Sequence, residues 1–124
     1  MASHRIARVA IVDPDCAVRD SLVALLTAAG IASQGFDTAE AFLAGTETNP
    51  VGCVTGNIGP DGGPGRQLFA AARSRDPAIR VILFSANMRQ EVIHKAMRAG
   101  VAAVLARPAN PGEFIGQVRR LLGI

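Results

Sequence analysis

The chain has 124 residues, of which 49% are hydrophobic and 19% charged, and a formal net charge of +3. This length predicts one domain with a substantial buried core, and the composition excludes an intrinsically disordered chain. No apolar run approaches the roughly 18 residues of a membrane span, and residues 1–5 lead straight into a predicted strand, without room for a secretory signal. We therefore expect a cytoplasmic protein with no membrane partner.

The basic residues and the cysteines indicate few specialised functions. Twelve of the thirteen basic residues are arginines scattered along the chain, and neither Trp nor Tyr is available to stack on bases. Solvated helix faces explain this pattern better than nucleic-acid binding. Two cysteines suggest neither a disulfide framework nor a metal site. Cys53 lies in an apolar run and is predicted to be a core residue, whereas Cys16 lies near a predicted helix N-terminus, where a thiol is easily activated.

Five short apolar segments alternate with five helical patterns along the chain. The predicted strands are Arg8 to Asp13, Ala32 to Phe36, Val51 to Gly56, Ile79 to Phe84 and Val101 to Ala106. The predicted helices run from Pro14 or Asp15 to Ala29, from the capping-box sequence Asp37-Thr38-Ala39-Glu40 through Leu43, from Pro64 or Gly65 to the residue before Pro77, from Met88 to Ala99, and from Pro111 through Leu122.

This alternation predicts the fold class. Four of the strands are apolar throughout, as strands are when helices cover both faces of a parallel sheet. Right-handed crossovers then favour the strand order 2-1-3-4-5 of a doubly wound, flavodoxin-like α/β domain. We expect one such domain over residues 1–124. Its fourth helix is predicted to bury Val92, Ile93, Ala96 and Met97.

Polar residues collect at the carboxyl ends of the predicted strands, which is the edge where open α/β sheets bind ligands. The ends of strands one, three, four and five bring together Asp13, Asp15, Gly56, Ser85 and Arg107-Pro108. Two neighbouring acids suit Mg²⁺. A hydroxyl and a cation beside them suit an anion such as phosphate.

The segments Ile11 to Asp15, Val18 to Leu22 and Thr38 to Leu43 carry a family resemblance. In this order the chain resembles, over essentially its whole length, the receiver domains of bacterial two-component response regulators of the nitrogen-fixation type. The resemblance implies a signalling domain in a phosphorelay that is not itself an enzyme. Such receivers often precede a DNA-binding domain, and none follows in this sequence.

The resemblance also identifies departures from the family's phosphorylation site. Receivers have an acid pair after strand one, and Asp13 fits one acid while Pro14 holds the other position. Ser85 fits the hydroxyl that ends strand four. Arg107 replaces a lysine before Pro108, and Val104 stands at the aromatic switch position. The phospho-accepting aspartate falls on Gly56, which has no nucleophile.

We therefore predict a stand-alone pseudo-receiver that binds a signalling protein without being phosphorylated. The partner would be a histidine kinase, a phosphotransfer protein or a transcription regulator, and homodimers are also implied by the resemblance. The expected contact surface comprises the fourth helix, fifth strand and fifth helix. Its candidate contacts are Arg89, Glu91, Lys95, Arg98, Arg119 and Arg120.

Two alternatives remain open from the sequence. In the first, Asp61 or Asp13 is a surrogate acceptor, with Mg²⁺ held by Asp13 and Asp15; otherwise no cofactor is expected. In the second, the chain is a small-ligand or redox sensor that uses the vacated pocket at Gly56 or the Cys16 thiol. A direct pairing of Arg107 with Asp13, which would lock the pocket, is a further hypothesis.

Overall fold

The computed structural model describes residues 6–124, in which five strands alternate with five helices. The strands are β1 (Arg8–Val12), β2 (Ala32–Phe36), β3 (Cys53–Asn57), β4 (Arg80–Ser85) and β5 (Ala103–Ala106). The helices are α1 (Cys16–Ala28), α2 (Ala39–Gly45), α3 (Gly63–Arg75), α4 (Gln90–Ala99) and α5 (Pro111–Leu122). Within residues 6–124, no helix is long and apolar enough to cross a membrane.

All neighbouring strands pair in parallel, and their order is β2-β1-β3-β4-β5. The predicted fold class and strand order are therefore confirmed. Because the strands are parallel, their carboxyl ends lie at one edge of the sheet. There Asn57 pairs with Phe84, and Ser85 pairs with Ala106.

Helices cover both faces of the sheet, and each face has its own apolar core. On one face, Leu22 and Leu26 of α1 and Phe114 and Val118 of α5 pack on strand residues such as Ile82. The core of the other face contains buried helical residues and the strand residues beneath them, among them Phe42, Leu68, Ala72, Ala10, Val54, Val81 and Leu83. Burial on both sides explains the continuous apolar runs in the sequence.

The fourth helix differs from its prediction in both length and burial. It begins at Gln90 rather than Met88, and none of its residues is fully buried. Val92 and Ala96 pack partly against the core, whereas Met97 is 44% exposed, so the predicted burial of Met97 is wrong. The helix ends where Gly100 adopts φ 116°, a left-handed conformation that other residues rarely adopt. Helix α4 is thus the most loosely packed helix of its face.

Side-chain caps fix where α1, α2 and α5 begin. Asp15 caps α1 by accepting from the backbone N–H groups of Ala17 and Val18, and Asn110 caps α5 by accepting from Glu113 N–H. The capping box predicted from Asp37 is displaced by one residue. Thr38 is the N-cap of α2, because its hydroxyl oxygen accepts from Ala41 N–H at 3.0 Å.

Thr38→Ala is expected to lower the free energy of unfolding by about 1 kcal/mol, because it removes the acceptor for the first turn of α2. Asp37→Ala is the matched control and should change it by less than about 0.5 kcal/mol, as surface substitutions away from caps usually do. Urea unfolding of the two variants measures both values. A larger loss of unfolding free energy for Asp37→Ala than for Thr38→Ala would support the capping box that the sequence predicts.

Candidate functional site

Asp13 lies at the centre of a polar cluster at the carboxyl edge of the sheet. It directly follows β1, and its side chain is only 5% exposed. Its Oδ2 accepts from Nδ2 of Asn57 and from Nη2 of Arg107, each at 2.9 Å. Its Oδ1 accepts from the backbone N–H of Asp15 at 2.8 Å. The three donors surround a nearly buried carboxylate, which satisfies the requirement that a buried charge be paired and hydrogen-bonded.

Arg107, which directly follows β5, completes the cluster. Its Nε donates to Oδ1 of Asn57 at 2.9 Å, so Arg107, Asn57 and Asp13 form a closed ring of hydrogen bonds. The guanidinium also lies 4.8 Å from the centre of the Phe84 ring, a cation–π distance. Its backbone N–H donates to Ser85 O at 2.9 Å, and the peptide bond to Pro108 is cis. The hypothesis that Arg107 pairs with Asp13 is therefore supported by the geometry.

The side chain that meets Asp13 and Arg107 belongs to Asn57, not to Gly56. A Cβ atom at Gly56 would lie 2.3 Å from Cδ2 of Leu68, on the α3 side of the sheet. Leu68 therefore occupies the space where a side chain at Gly56 would begin. The sequence-based placement of Gly56 in the centre of the site is corrected on this point, because Gly56 is not part of the hydrogen-bonded ring. A cavity of about 250 Å³ does lie beside Gly56, as the sequence predicts, with Pro14 and Leu68 also in its lining.

Strand parity explains why Asn57, and not Gly56, reaches the cluster once the register of β3 is known. Side chains alternate between the two faces of a strand, so Asn57 shares a face with Cys53 and Gly56 does not. Cys53 packs in the core beneath α1 and α5. Asn57 is thus directed to the same side as that core, where Asp13 and Arg107 also meet. Matching the chain to the family by residue order alone does not show on which face of β3 a side chain lies.

Asp15 does not join the cluster with its side chain. Its Oδ1 accepts from Ala17 N–H at 2.9 Å and from Val18 N–H at 3.4 Å, so it caps α1. In residues 6–124, no group of three or more His, Cys, Asp or Glu side chains is arranged to hold a metal ion. The Asp13 carboxylate already accepts three hydrogen bonds, one of them from a cation. These residues do not fit Mg²⁺, which requires several oxygen ligands in octahedral geometry.

Ser85 is buried at the end of β4, close in the chain to a cavity of about 210 Å³ that opens above the cluster. Asn57 and Arg107 contribute polar groups to this cavity, and Phe84 contributes an aromatic surface. The remaining lining residues are Gly59, Pro60, Ala86 and Asn87. Space thus exists beside the polar cluster, although Ser85 itself is not part of the lining.

Asp61 and Cys16, which the two alternative interpretations name beside Asp13 and Gly56, make no hydrogen bond with the Asp13 cluster in the described part of the chain. Asp61 is exposed, and its Oδ1 accepts from Gly63 N–H at 3.0 Å, a hydrogen bond that lowers the pKa of this carboxyl. Cys16 is exposed, with its Sγ 3.5 Å from Oδ2 of Asp20. Burial raises the pKa of the Cys53 thiol to about 12, so Cys53 is a neutral core residue, as predicted.

The six predicted partner contacts are all exposed, but most of them already have contacts within the chain. Arg89 forms an ion pair with Glu91, and Arg120 donates to Gln117. Arg119 donates to Ala29 O at 3.2 Å, which directs its guanidinium toward the end of α1 rather than toward α4. Lys95 and Arg98 have no hydrogen-bond or ion-pair partner among residues 6–124.

The fold and the polar edge define a receiver-type signalling domain. Residues 9–119 match the protein family described as "Response regulator receiver domain". The chain belongs to this family, whose members act in two-component signalling.

Curated relatives extend well beyond the matched region. The transcriptional regulatory protein FixJ of Azorhizobium caulinodans is 30% identical over 113 residues, which cover 91% of this chain and 54% of FixJ. The response regulator protein FleR of Pseudomonas aeruginosa is 30% identical over 114 residues, which cover 92% of this chain and 24% of FleR. The chain thus spans about half the length of FixJ and a quarter of FleR.

Solved structures support the same assignment. A response regulator receiver protein from Burkholderia phymatum superposes with a TM-score of 0.78 at 30% identity, covering 94% of this chain and 95% of that one. The chemotaxis protein CheY4 of Vibrio cholerae gives a TM-score of 0.82 at 18% identity, with 94% and 99% covered. The second likeness concerns the fold alone.

Proposed function

We propose that this chain is a pseudo-receiver, which transmits a signal by binding another protein and not by accepting a phosphoryl group. The observation that carries the proposal is the closed ring of Asp13, Asn57 and Arg107. In this ring the side chain beside the acid Asp13 is an amide, where a receiver needs a carboxylate. We infer that Asn57 holds the acceptor position of the family.

The chemistry of phosphoryl transfer explains why this ring is inactive. The acceptor must be a nucleophilic carboxylate, in line with the donor phosphorus and beside a metal ion that neutralises charge. An amide nitrogen is not a comparable nucleophile, and both polar atoms of Asn57 are already hydrogen-bonded. The guanidinium of Arg107 supplies the positive charge next to Asp13 in a fixed position, where a metal would otherwise be required.

The proposed partner is a histidine kinase, a phosphotransfer protein or a transcription regulator. The names of the relatives support this range, since FixJ is a transcriptional regulatory protein and FleR a response regulator. The proposed surface is formed by α4, β5 and α5, where Lys95 and Arg98 are the exposed cations without partners among residues 6–124. A second copy of the chain is another candidate partner for this surface. We propose that the domain acts without an enzymatic activity or a cofactor of its own.

Incubation with acetyl phosphate and Mg²⁺ tests the proposal directly. We expect intact-mass spectrometry to show no stoichiometric phosphoryl adduct, because no free carboxylate lies beside a metal site. A receiver that retains its acceptor aspartate is the positive control in the same reaction. A stoichiometric adduct that disappears in Asp61→Asn or Asp13→Asn would instead establish the surrogate-acid alternative.

Partner binding supplies the second part of this test. Affinity for a purified histidine kinase, phosphotransfer protein or transcription regulator should be the same before and after treatment with acetyl phosphate. A change in affinity on treatment would contradict phosphorylation-independent binding.

A further inference from the structure

A cavity of about 160 Å³ lies between α3 and α4, away from the Asp13 cluster. Its floor is formed by Leu83 and Val101 of the sheet region, and Phe69 of α3 and Val92 of α4 form its walls. The lining also includes small residues that leave the space open: Gly62, Gly65, Ala96 and Ala99. The cavity thus results from short side chains where two helices would otherwise fill the gap.

The interior of the cavity matches a single aromatic ring in size and polarity. An engineered apolar cavity of about 150 Å³ stays dry and binds benzene. Here Arg73 lies 4.9 Å from the centre of the Phe69 ring, and the edge and the other face of this ring remain for contact with a second ring. Ile58, Leu83 and Val101 are buried apolar residues that complete the same surface. An apolar group of about that size would therefore gain contacts that water does not supply.

The mouth of the cavity carries more positive than negative charge. Arg66 and Lys95 line it together with a single acid, Asp61. The Asp61 carboxylate accepts from Gly63 N–H, while Arg66 donates to the backbone oxygen of Asp61 at 3.3 Å. Lys95 has no partner in the described part of the chain. The rim therefore favours an anionic group on a ligand whose apolar part lies inside.

Loose packing of α4 gives a route into the cavity. None of its residues is fully buried, and its Val92 and Ala96, which line the cavity, are only partly buried. A small movement of this helix costs few contacts with the core, because few exist. Helix α3, by contrast, is held more firmly, since its residues Leu68 and Ala72 are buried in the core.

We propose that the α3–α4 cavity binds a small aromatic carboxylate, with its ring between Phe69 and Val92 and its carboxylate against Lys95 and Arg66. Lys95 is shared with the proposed partner surface, but the proposal does not depend on the proposed function, because it needs neither the Asp13 cluster nor a bound protein.

Fluorine NMR with three probes of one shape tests the ligand class. The probes are para-fluorobenzoate, para-fluorobenzyl alcohol and para-fluorobenzylamine, titrated into the full chain. We expect the carboxylate to bind about threefold to fivefold more tightly than the alcohol, which is the effect of an exposed charge pair, and the amine to bind most weakly. Equal affinities, or preference for the amine, would overturn the charge assignment. Absence of binding by all three probes would overturn the site.

Variants locate the binding. Lys95→Gln and Arg66→Gln together should abolish the advantage of the carboxylate over the alcohol, while Arg75→Gln on α3, outside the lining, should preserve it. Ala96→Leu should fill the cavity and weaken all three probes at least tenfold, and Ala99→Met is the second filling variant if Ala96→Leu unfolds. Unchanged binding in a folded filling variant would show that the probes bind elsewhere.

Discussion

Gly56→Asp is expected to destabilise the fold and to leave it unphosphorylated. Its Cβ would lie 2.3 Å from Cδ2 of Leu68, a buried residue of the α3 core, so the end of that side chain must move. Overpacking of this kind costs about 1 to 3 kcal/mol. We expect a loss in that range, because the cavity of about 250 Å³ lined by Gly56 and Gln67 gives room for the new carboxylate. Such a loss is a sizeable share of the roughly 5 to 15 kcal/mol that stabilises a typical domain.

Asn57→Asp is the matched control, because it adds the same carboxylate one residue later, on the opposite face. It replaces the amide donor to Asp13 by a second carboxylate oxygen. Because the Arg107 guanidinium donates to both residues, the fold should survive. Urea unfolding measures both variants, and acetyl phosphate followed by intact mass measures their phosphorylation. A stable, phosphorylated Gly56→Asp protein would contradict both the parity of β3 and the assignment of Asn57.

Asn57→Asp alone should remain a poor acceptor, because Pro14 and Arg107 stay unsuited to a bound metal and a phosphoryl group. Adding Pro14→Asp and Arg107→Lys in the same chain should be needed for an adduct. This comparison separates a site degraded at one position from a site degraded at several.

Arg107→Ala should lower the free energy of unfolding by about 3 kcal/mol at neutral pH. It removes the cation from Asp13, whose side chain is 5% exposed, and leaves that carboxylate with only neutral donors. Breaking a buried ion pair by deleting one partner costs about 3 to 5 kcal/mol. The lower end applies, because the Arg107 side chain is itself 25% exposed. The lost contact with Phe84 contributes to the same effect.

A double-mutant cycle isolates the pair from these secondary effects. Asp13→Asn together with Arg107→Ala should lower the free energy of unfolding by less than the sum of the two single changes, by about 1 kcal/mol or more. The reason is that the double variant leaves no buried charge without its partner. Arg75→Ala is a suitable control arginine, because it donates only to the exposed backbone oxygen of Leu43. Additive costs at Asp13 and Arg107 would show that the ion pair does not stabilise the fold.

The apolar strands and the helix caps could be predicted from the sequence because each depends on neighbours in the chain. β2 has its predicted bounds, Ala32–Phe36, since turn residues flank it on both sides. Asn110 and Pro111 begin α5 as predicted, because a cap bonds a backbone group three residues away. The one-residue error at Asp37 has the same origin: two adjacent acceptors, Asp37 and Thr38, both precede α2.

The candidate site was only partly predictable, because its contacts join distant segments. Asp13, Ser85 and Arg107 follow from the rule that parallel strands bring their carboxyl ends to one edge. The choice between Gly56 and Asn57 does not, since a strand buried on both faces shows no alternation of apolar and polar residues. The burial of Met97 was mispredicted for a related reason: helical spacing identifies a face but not how closely the helix packs on the sheet.

By itself, the sequence determined the five-stranded parallel sheet and the set of residues at its carboxyl edge. The spacing of apolar residues and the positions of turn and capping residues are local properties of the chain. Only the tertiary structure decided which side chain meets Asp13. The pairing of Val9 with Cys53 sets the face of every β3 residue, and Leu68, twelve residues beyond Gly56 in the chain, fills the space that a side chain at Gly56 would need. The hydrogen bonds of Asn57 and Arg107 then span 44 to 94 residues, and contacts of that separation are created by folding rather than encoded in any one segment.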